Sequence, residues 1–80
     1  MTDELRTSPE QELRRLIDIV SKLRSPEGCP WDIEQTPASM IPYLLEEAYE
    51  VVESIEDGKQ DDILAELGDL LLHIVMQAQM

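Results

Sequence analysis

The chain has 80 residues, a single cysteine and a formal net charge of −12, from 18 Asp and Glu against six Lys and Arg. A chain this short buries only about 60% of the surface that its unfolded form exposes, so we expect one domain whose small core is completed by partner chains. The charge disfavours direct binding to nucleic acid or to an anionic membrane, and the lone cysteine excludes an intrachain disulfide, so we expect a reducing, cytoplasmic setting.

The first predicted helix follows a short polar segment. Residues 1–7 are predicted to be a disordered tail. Ser8-Pro9-Glu10-Gln11 is a capping-box pattern with proline at the first helical position, so the helix should begin at Ser8. One apolar stripe follows, and Ser25-Pro26-Glu27-Gly28 ends it. The stripe consists of Leu13, Leu16, Ile17, Val20 and Leu23.

Turn-forming residues separate this helix from the rest of the chain. Three of them, Pro26, Gly28 and Pro30, predict an ordered loop from Ser25 to about Pro37, which carries the only tryptophan, Trp31. Thr36-Pro37 can cap a short helical turn at the end of this loop.

Two further helices are predicted after the loop. Because Pro42 lacks an amide hydrogen, the second helix should start near Ile41; it should run to Glu56, before Asp57-Gly58 ends it. The third helix is predicted to be capped by Asp61 or Asp62 and to reach Met80. No β-alternating segment is present, so the predicted fold class is all-α, with the second and third helices forming a helical hairpin.

Acidic residues interrupt the apolar faces of both later helices. On the second, Glu46, Glu50 and Glu53 lie opposite the apolar arc, whereas Glu47 lies at its boundary, about 60° from Glu50. On the third, Glu66 and Asp69 lie on a narrow polar stripe with His73. Since a short connection should make the two helices antiparallel, Glu47, Glu50, Glu66 and Asp69 can meet in one cleft.

Such a cluster needs a counter-charge. Two like charges about 4 Å apart repel by roughly 4 kcal/mol at an effective dielectric of 20, and the only basic residue after Arg24 is Lys59 in a turn. Carboxylate ligands favour a hard cation, Mg²⁺ or Mn²⁺, that shares its coordination shell with substrate phosphates.

Other interpretations of these residues stay open at this point. The acids, above all Glu46 and Glu53, can be a solvated helix face. A di-iron bundle is disfavoured because neither Glu47 nor Glu66 has histidine three residues later. His73 either supports a metal ligand or is a packed, hydrogen-bonded residue.

The motifs resemble a known family. Glu46-Glu47-x-x-Glu50 and Glu66-x-x-Asp69, with "LRSPEGCPWDIEQT", "PYLLEEAYEVVESI" and "DDILAELGDLLLHIV", are similar to the EExxE…ExxD signature, loop and helices of the MazG nucleoside triphosphate pyrophosphohydrolases. The resemblance covers residues 13–80, so residues 8–80 are expected to form a MazG-like helical domain. Family members usually continue beyond the point where this sequence stops, so it is expected to be a fragment or a minimal form.

The resemblance also implies an activity and roles for particular residues. It implies hydrolysis of a nucleoside triphosphate between the α and β phosphates, giving a nucleoside monophosphate and pyrophosphate. Glu47, Glu50, Glu66 and Asp69 match the family's Mg²⁺ ligands, and Glu46 is the candidate that orients the attacking water or accepts its proton.

The remaining implications concern the substrate contact and the assembly. Trp31 either stacks on the nucleobase or anchors its loop by packing. Ile33 stands where many relatives carry a lysine. The resemblance implies a homodimer or a dimer of dimers, in which helices from two chains complete the helical hairpin into a four-helix-bundle-like fold. The preferred base and sugar are left open. The alternative function is an acidic helical oligomerisation or regulatory module that does not turn over substrate.

Overall fold

The computed structural model describes residues 8–80. Its elements are α1 (Pro9–Leu23), α2 (Pro30–Glu34), a 3-10 turn (Ala38–Met40), α3 (Ile41–Asp57) and α4 (Gln60–Gln79). No strand occurs in this range, which confirms the all-α class for the part described. The predicted disordered tail, residues 1–7, lies outside it. None of the helices found between residues 8 and 80 is long and apolar enough to cross a membrane.

The capping box that starts α1 is confirmed. The Ser8 hydroxyl accepts a hydrogen bond from the Gln11 amide at 3.2 Å, and the Ser8 amide donates to Gln11 Oε1 at 2.8 Å. Two of the orphan donors of the first turn are thereby satisfied. The helix ends at Leu23, as the turn residues that follow predict.

The predicted loop contains a helix that the sequence reasoning missed. Pro30 occupies a first-turn position of the five-residue helix α2, and Cys29 precedes it without a side-chain cap. Proline is pre-organised for a helix start, so the Cys29-Pro30 step was the available signal. The prediction of a capped turn after this helix is confirmed, because Thr36 and Ser39 exchange side-chain-to-amide hydrogen bonds at 2.9 and 3.1 Å.

The predicted start is right for α3, but the predicted cap is wrong for α4. α3 begins at Ile41 and ends one residue beyond the prediction, at Asp57, with Gly58 in the left-handed region at φ 72°. Glycine adopts this conformation without steric cost. α4 begins at Gln60 after Lys59, so neither Asp61 nor Asp62 is its cap. Both lie in the first turn, where their charges complement the helix dipole.

The core lies at one end of the molecule. Val20 of α1 is fully buried against Met40, Val75 and Met76, and Leu16, Ile17 and Met80 pack around them. The longest helix contact, however, is between α3 and α4, which the two-residue connection at Gly58-Lys59 brings side by side. α4 therefore joins the apolar core to the acidic α3.

Many apolar side chains of the two later helices are exposed in the single chain. Val51 of α3 is buried, but Leu45 and Tyr49 are each 67% exposed. On α4, Leu64, Leu67, Leu71 and Ile74 recur at helical spacing and are all exposed. The core thus leaves a continuous apolar surface on the α3–α4 hairpin without a partner among residues 8–80.

Candidate metal centre

Three of the four predicted ligands come together between α3 and α4. Glu47, Glu66 and Asp69 each place one carboxylate oxygen within 4.8 Å of the others. Opposite oxygens around an octahedral Mg²⁺ ion are about 4 Å apart, since the bonds are about 2.1 Å long. At most one pair among three such oxygens can be opposite, and neighbouring oxygens are about 3 Å apart, so the three must approach one another by up to about 2 Å to reach coordination distance.

Two buried atoms support this fit. Glu47 Oε2 and Glu66 Oε2 are buried and have no hydrogen-bond partner among residues 8–80. A buried carboxylate oxygen without a partner is costly and calls for a cation or a proton. Since all the donors are carboxylate oxygens, the set suits a hard divalent cation such as Mg²⁺ or Mn²⁺.

Glu50 lies beside this group but is not among the three carboxylates that converge. Its carboxyl shares a hydrogen bond with Glu66, and this bond is the largest cause that raises the pKa of Glu50, followed by desolvation. A hydrogen bond between two carboxyls forms only when one of them is protonated, which is why this contact raises the pKa of Glu50. Glu50 and Glu66 also line a cavity of about 190 Å³ that continues towards the α3–α4 turn.

The same crowding acts on Glu47. Burial raises the pKa of Glu47 above its ordinary value, and the neighbouring Glu50 and Asp69 charges add to the rise. His73 acts in the opposite direction and lowers it. Burial and the neighbouring negative charges therefore disfavour the ionised form of Glu47.

The remaining predicted residues lie around this centre. Glu46 is exposed on α3, and its charge contributes to the raised pKa values of both Glu47 and Glu50. His73 is half-buried and near enough to Glu47 to influence its ionisation. Glu46 is thus exposed to solvent next to the centre, whereas His73 is half-buried near it.

Trp31 lies on α2 and is 46% exposed. Its ring meets the ring of Tyr43 edge-on, with centroids 6.1 Å apart and an interplanar angle of 82°. The sequence reasoning did not single out Tyr43. The available signal was its position four residues before Glu47, which places both on one face of α3.

The chain matches known proteins over most of its length. Residues 35–80 match the MazG nucleotide pyrophosphohydrolase domain. The chain is 53% identical over 64 residues to the nucleoside triphosphate pyrophosphohydrolase/pyrophosphatase MazG of Thermotoga maritima, covering 80% of this chain and 25% of that protein.

Two further relatives carry a similar name. The chain is 53% identical over 70 residues to the nucleoside triphosphate pyrophosphohydrolase of Escherichia coli K12, covering 86% of this chain and 27% of the relative. It is 42% identical over 81 aligned positions to the protein of that name from Mycolicibacterium smegmatis, covering 96% of this chain and 24% of the relative. The chain spans about a quarter of the length of these curated relatives.

Proposed function

The chain belongs to the MazG nucleotide pyrophosphohydrolase family, and from that premise we propose that it hydrolyses nucleoside triphosphates to nucleoside monophosphates and pyrophosphate. The observation that carries this proposal is the convergence of Glu47, Glu66 and Asp69, with buried carboxylate oxygens that have no partner among residues 8–80. The relatives' names supply the substrate class, and a divalent cation held by the acidic cleft would allow a chain of charge −12 to accept a polyphosphate.

The proposed metal is Mg²⁺, with Mn²⁺ as a substitute. Glu47, Glu66 and Asp69 would hold it, and Glu50 would orient Glu66 through their shared hydrogen bond or join the ligands once deprotonated. When bound, the ion supplies Lewis-acid stabilisation of the phosphate charge and lowers the pKa of a coordinated water.

The proposed chemistry requires one proton acceptor from the chain. The water oxygen forms a bond to phosphorus, the α–β bridging bond breaks, pyrophosphate leaves and the water's proton must be taken up. Glu46 is our candidate acceptor, because it is exposed beside Glu47 and Glu50 and is not one of the converging carboxylates. Trp31 remains the predicted substrate contact.

We also propose that the active form is a homodimer or a dimer of dimers. The exposed apolar stripes on α3 and α4 can pack against the same stripes of a second copy. The core of this short chain contains only five buried apolar side chains among residues 8–80. A second copy that covers these stripes would complete a four-helix bundle and bury additional apolar area, at about 25 cal/mol per Å². Its interface would lie on the outer side of the acidic seam.

The test is pyrophosphate release from a panel of canonical and modified nucleoside triphosphates, with Mg²⁺ and with chelator. We expect Mg²⁺-dependent release and a loss of at least about 100-fold in kcat/KM for Glu66→Gln and for Glu50→Gln, since each removes a carboxylate charge from the centre. Glu56→Gln is the matched control, because Glu56 is exposed on α3 and outside the centre.

The same assay separates the two candidate functions. Mg²⁺-dependent turnover that Glu56→Gln retains and Glu66→Gln loses supports the hydrolase. If no triphosphate is hydrolysed at concentrations where the chain is dimeric, the acidic oligomerisation or regulatory module is the better description. Retained turnover in Glu66→Gln would reject the ligand assignment.

A further inference from the structure

The rings of Trp31 and Tyr43 meet edge-on, and Tyr43 lies one helical turn before Glu47 of the carboxylate centre. We call these two residues the aromatic corner. We propose that the aromatic corner, with Tyr43 as a second contact residue, binds the nucleobase of the substrate, and that Arg24 is the positioning residue that holds it in place. This inference rests on the triphosphate activity proposed above and identifies where that site recognises the base.

The helical register connects the aromatic corner to the centre. Tyr43 precedes Glu47 by four residues, so it lies on the same face of α3, one turn and about 6 Å earlier along the axis. Trp31 approaches that turn from α2. A substrate whose phosphates lie at the carboxylates can therefore extend its base towards the aromatic corner.

The rings are available to a ligand. Trp31 is 46% exposed and Tyr43 is 45% exposed, so each ring keeps surface that a ligand can reach beside their perpendicular contact. Neither the indole N–H nor the tyrosine hydroxyl has a hydrogen-bond partner within residues 8–80. Every base offers a π face for stacking and polar edges for hydrogen bonds, so the aromatic corner provides both kinds of contact.

Arg24 fixes the position of Trp31. One guanidinium nitrogen of Arg24 donates hydrogen bonds to the carbonyl oxygens of Asp32 and Gln35, at the C-terminal end of α2. Gln35 Nε2 in turn donates to the Trp31 carbonyl oxygen at 3.0 Å. A five-residue helix is not stable alone, and a cation at its C-terminus is favourable, so Arg24 holds the short helix that carries Trp31.

Trp31 is the chain's only tryptophan, so its fluorescence reports on the aromatic corner. The probes are α,β-imido nucleoside triphosphates with each of the four canonical bases, and inorganic tripolyphosphate, which has no base. All are titrated in the presence of Mg²⁺. We expect the nucleotide analogues to quench Trp31, whereas tripolyphosphate binds, as calorimetry measures, without quenching.

The first variant is Tyr43→Leu, with Tyr49→Leu as its matched control. Tyr49 lies on α3 outside the aromatic corner but on the apolar surface proposed for the interface, and leucine keeps that surface apolar. Both variants are therefore compared with the wild type at a chain concentration where all three have the same oligomeric state. We expect Tyr43→Leu to weaken binding of the preferred nucleotide analogue about tenfold and to leave tripolyphosphate binding unchanged. Unchanged nucleotide affinity, or an equal loss for tripolyphosphate, would overturn the proposal.

The second variant, Arg24→Gln, tests positioning. We expect the helical circular dichroism and the tripolyphosphate affinity to be retained, while acrylamide quenching of Trp31 increases and nucleotide KM rises with little change in kcat. The variant contradicts the positioning role if acrylamide quenching and KM both stay at wild-type values.

These results are distinguishable from failure of the proposed function. Nucleotide-dependent quenching without pyrophosphate release would reject the hydrolase and retain the aromatic corner as a base-binding site. Pyrophosphate release with an unchanged KM in Tyr43→Leu would retain the hydrolase and reject the aromatic corner as the base-binding site. A Trp31 signal that follows chain dilution and ignores nucleotide would assign the aromatic corner to the interface between two copies, and would overturn the proposal.

Discussion

The two halves of α4 contrast in how they are stabilised. The C-terminal half contributes Val75 and Met76 to the apolar core with α1, whereas the N-terminal half places Glu66 and Asp69 against the acids of α3. Packing favours the folded state in the C-terminal half, whereas charge repulsion opposes it in the N-terminal half. The difference indicates that the core end positions α4, while the acidic seam between α3 and α4 carries a charge repulsion that a bound cation would relieve.

The largest effect is expected next to the core, at Gly28. A Cβ at this position would collide with the backbone carbonyls of Lys22 and Leu23, and backbone cannot move aside as a flexible side chain does. Gly28→Ala should therefore lower the free energy of unfolding by about 3 kcal/mol, as measured by urea denaturation at a fixed chain concentration.

Gly68→Ala is the matched control in the acidic half of α4. Apart from the adjacent backbone of α4, no atom of residues 8–80 lies within 4 Å of a Cβ built there, so alanine should raise the free energy of unfolding by about 1 kcal/mol through its helix propensity. Destabilisation by Gly68→Ala that grows with dilution would place a second chain against this position. Equal stability of the Gly28→Ala variant and the wild type would contradict the packing described for the end of α1.

The next effect concerns the core itself. Val20 is fully buried, so Val20→Ala should lower the free energy of unfolding by about 2 kcal/mol through lost transfer energy and a residual cavity. Val52→Ala makes the same change at a residue that is 51% exposed in the single chain. A loss as large for Val52 as for Val20, independent of chain concentration, would be inconsistent with this core.

Glu66→Gln should act in the opposite direction. In metal-free protein it removes one of several crowded negative charges, so the free energy of unfolding should rise by about 1 kcal/mol at low salt. The comparison is thermal unfolding in chelator, with Glu56→Gln as the charge-matched control. If Glu66→Gln destabilises metal-free protein, the repulsion inferred for the acidic seam is wrong.

The smallest effect is a pH dependence of the metal-free protein. The pKa values of Glu47 and Glu50 are raised in the folded state above the ordinary 4.5, by burial at Glu47 and by the hydrogen bond to Glu66 at Glu50. Their stabilising contribution is complete below about pH 4.5 and is lost as pH rises through the raised values.

The Tm in chelator should therefore fall as pH increases from about 5 to 7, and saturating Mg²⁺ should flatten this dependence because it favours the ionised carboxylates. Glu10 contributes oppositely, since backbone and Ser8 hydrogen bonds lower its pKa, so the gain on acidification ends near pH 4.5. A Tm that is flat from pH 5 to 7 in chelator would argue against strained acids in the folded state.

Local chemistry made the helix boundaries predictable. The Ser8 capping box and the Gly58 stop depend on residues within one turn of each helix end, so sequence alone identified them. The start of α4 was missed because two aspartates offered caps and Lys59 was taken as turn. α2 was missed because a five-residue helix has no periodicity, and Arg24, which supports it, is remote in sequence.

The site was predictable in composition and less so in arrangement. Helical spacing placed four acids in one seam. It could not show that only Glu47, Glu66 and Asp69 would converge, with Glu50 beside them in contact with Glu66. That arrangement depends on the axial offset of α3 against α4, which the distant core contact at Val75 and Met76 helps to set. Whether the apolar stripe of α4 is buried or exposed also depends on tertiary packing, which helical spacing does not show.

The most direct test of the central claim, that the acidic seam holds a divalent ion, is Mn²⁺ binding measured by electron paramagnetic resonance, with Mg²⁺ as competitor. The account predicts saturable binding of at least one Mn²⁺ per chain, displaced by Mg²⁺, lost in Glu66→Gln and retained in Glu56→Gln. Absence of saturable binding to the wild-type chain, or equal binding by the wild type and Glu66→Gln, would contradict it.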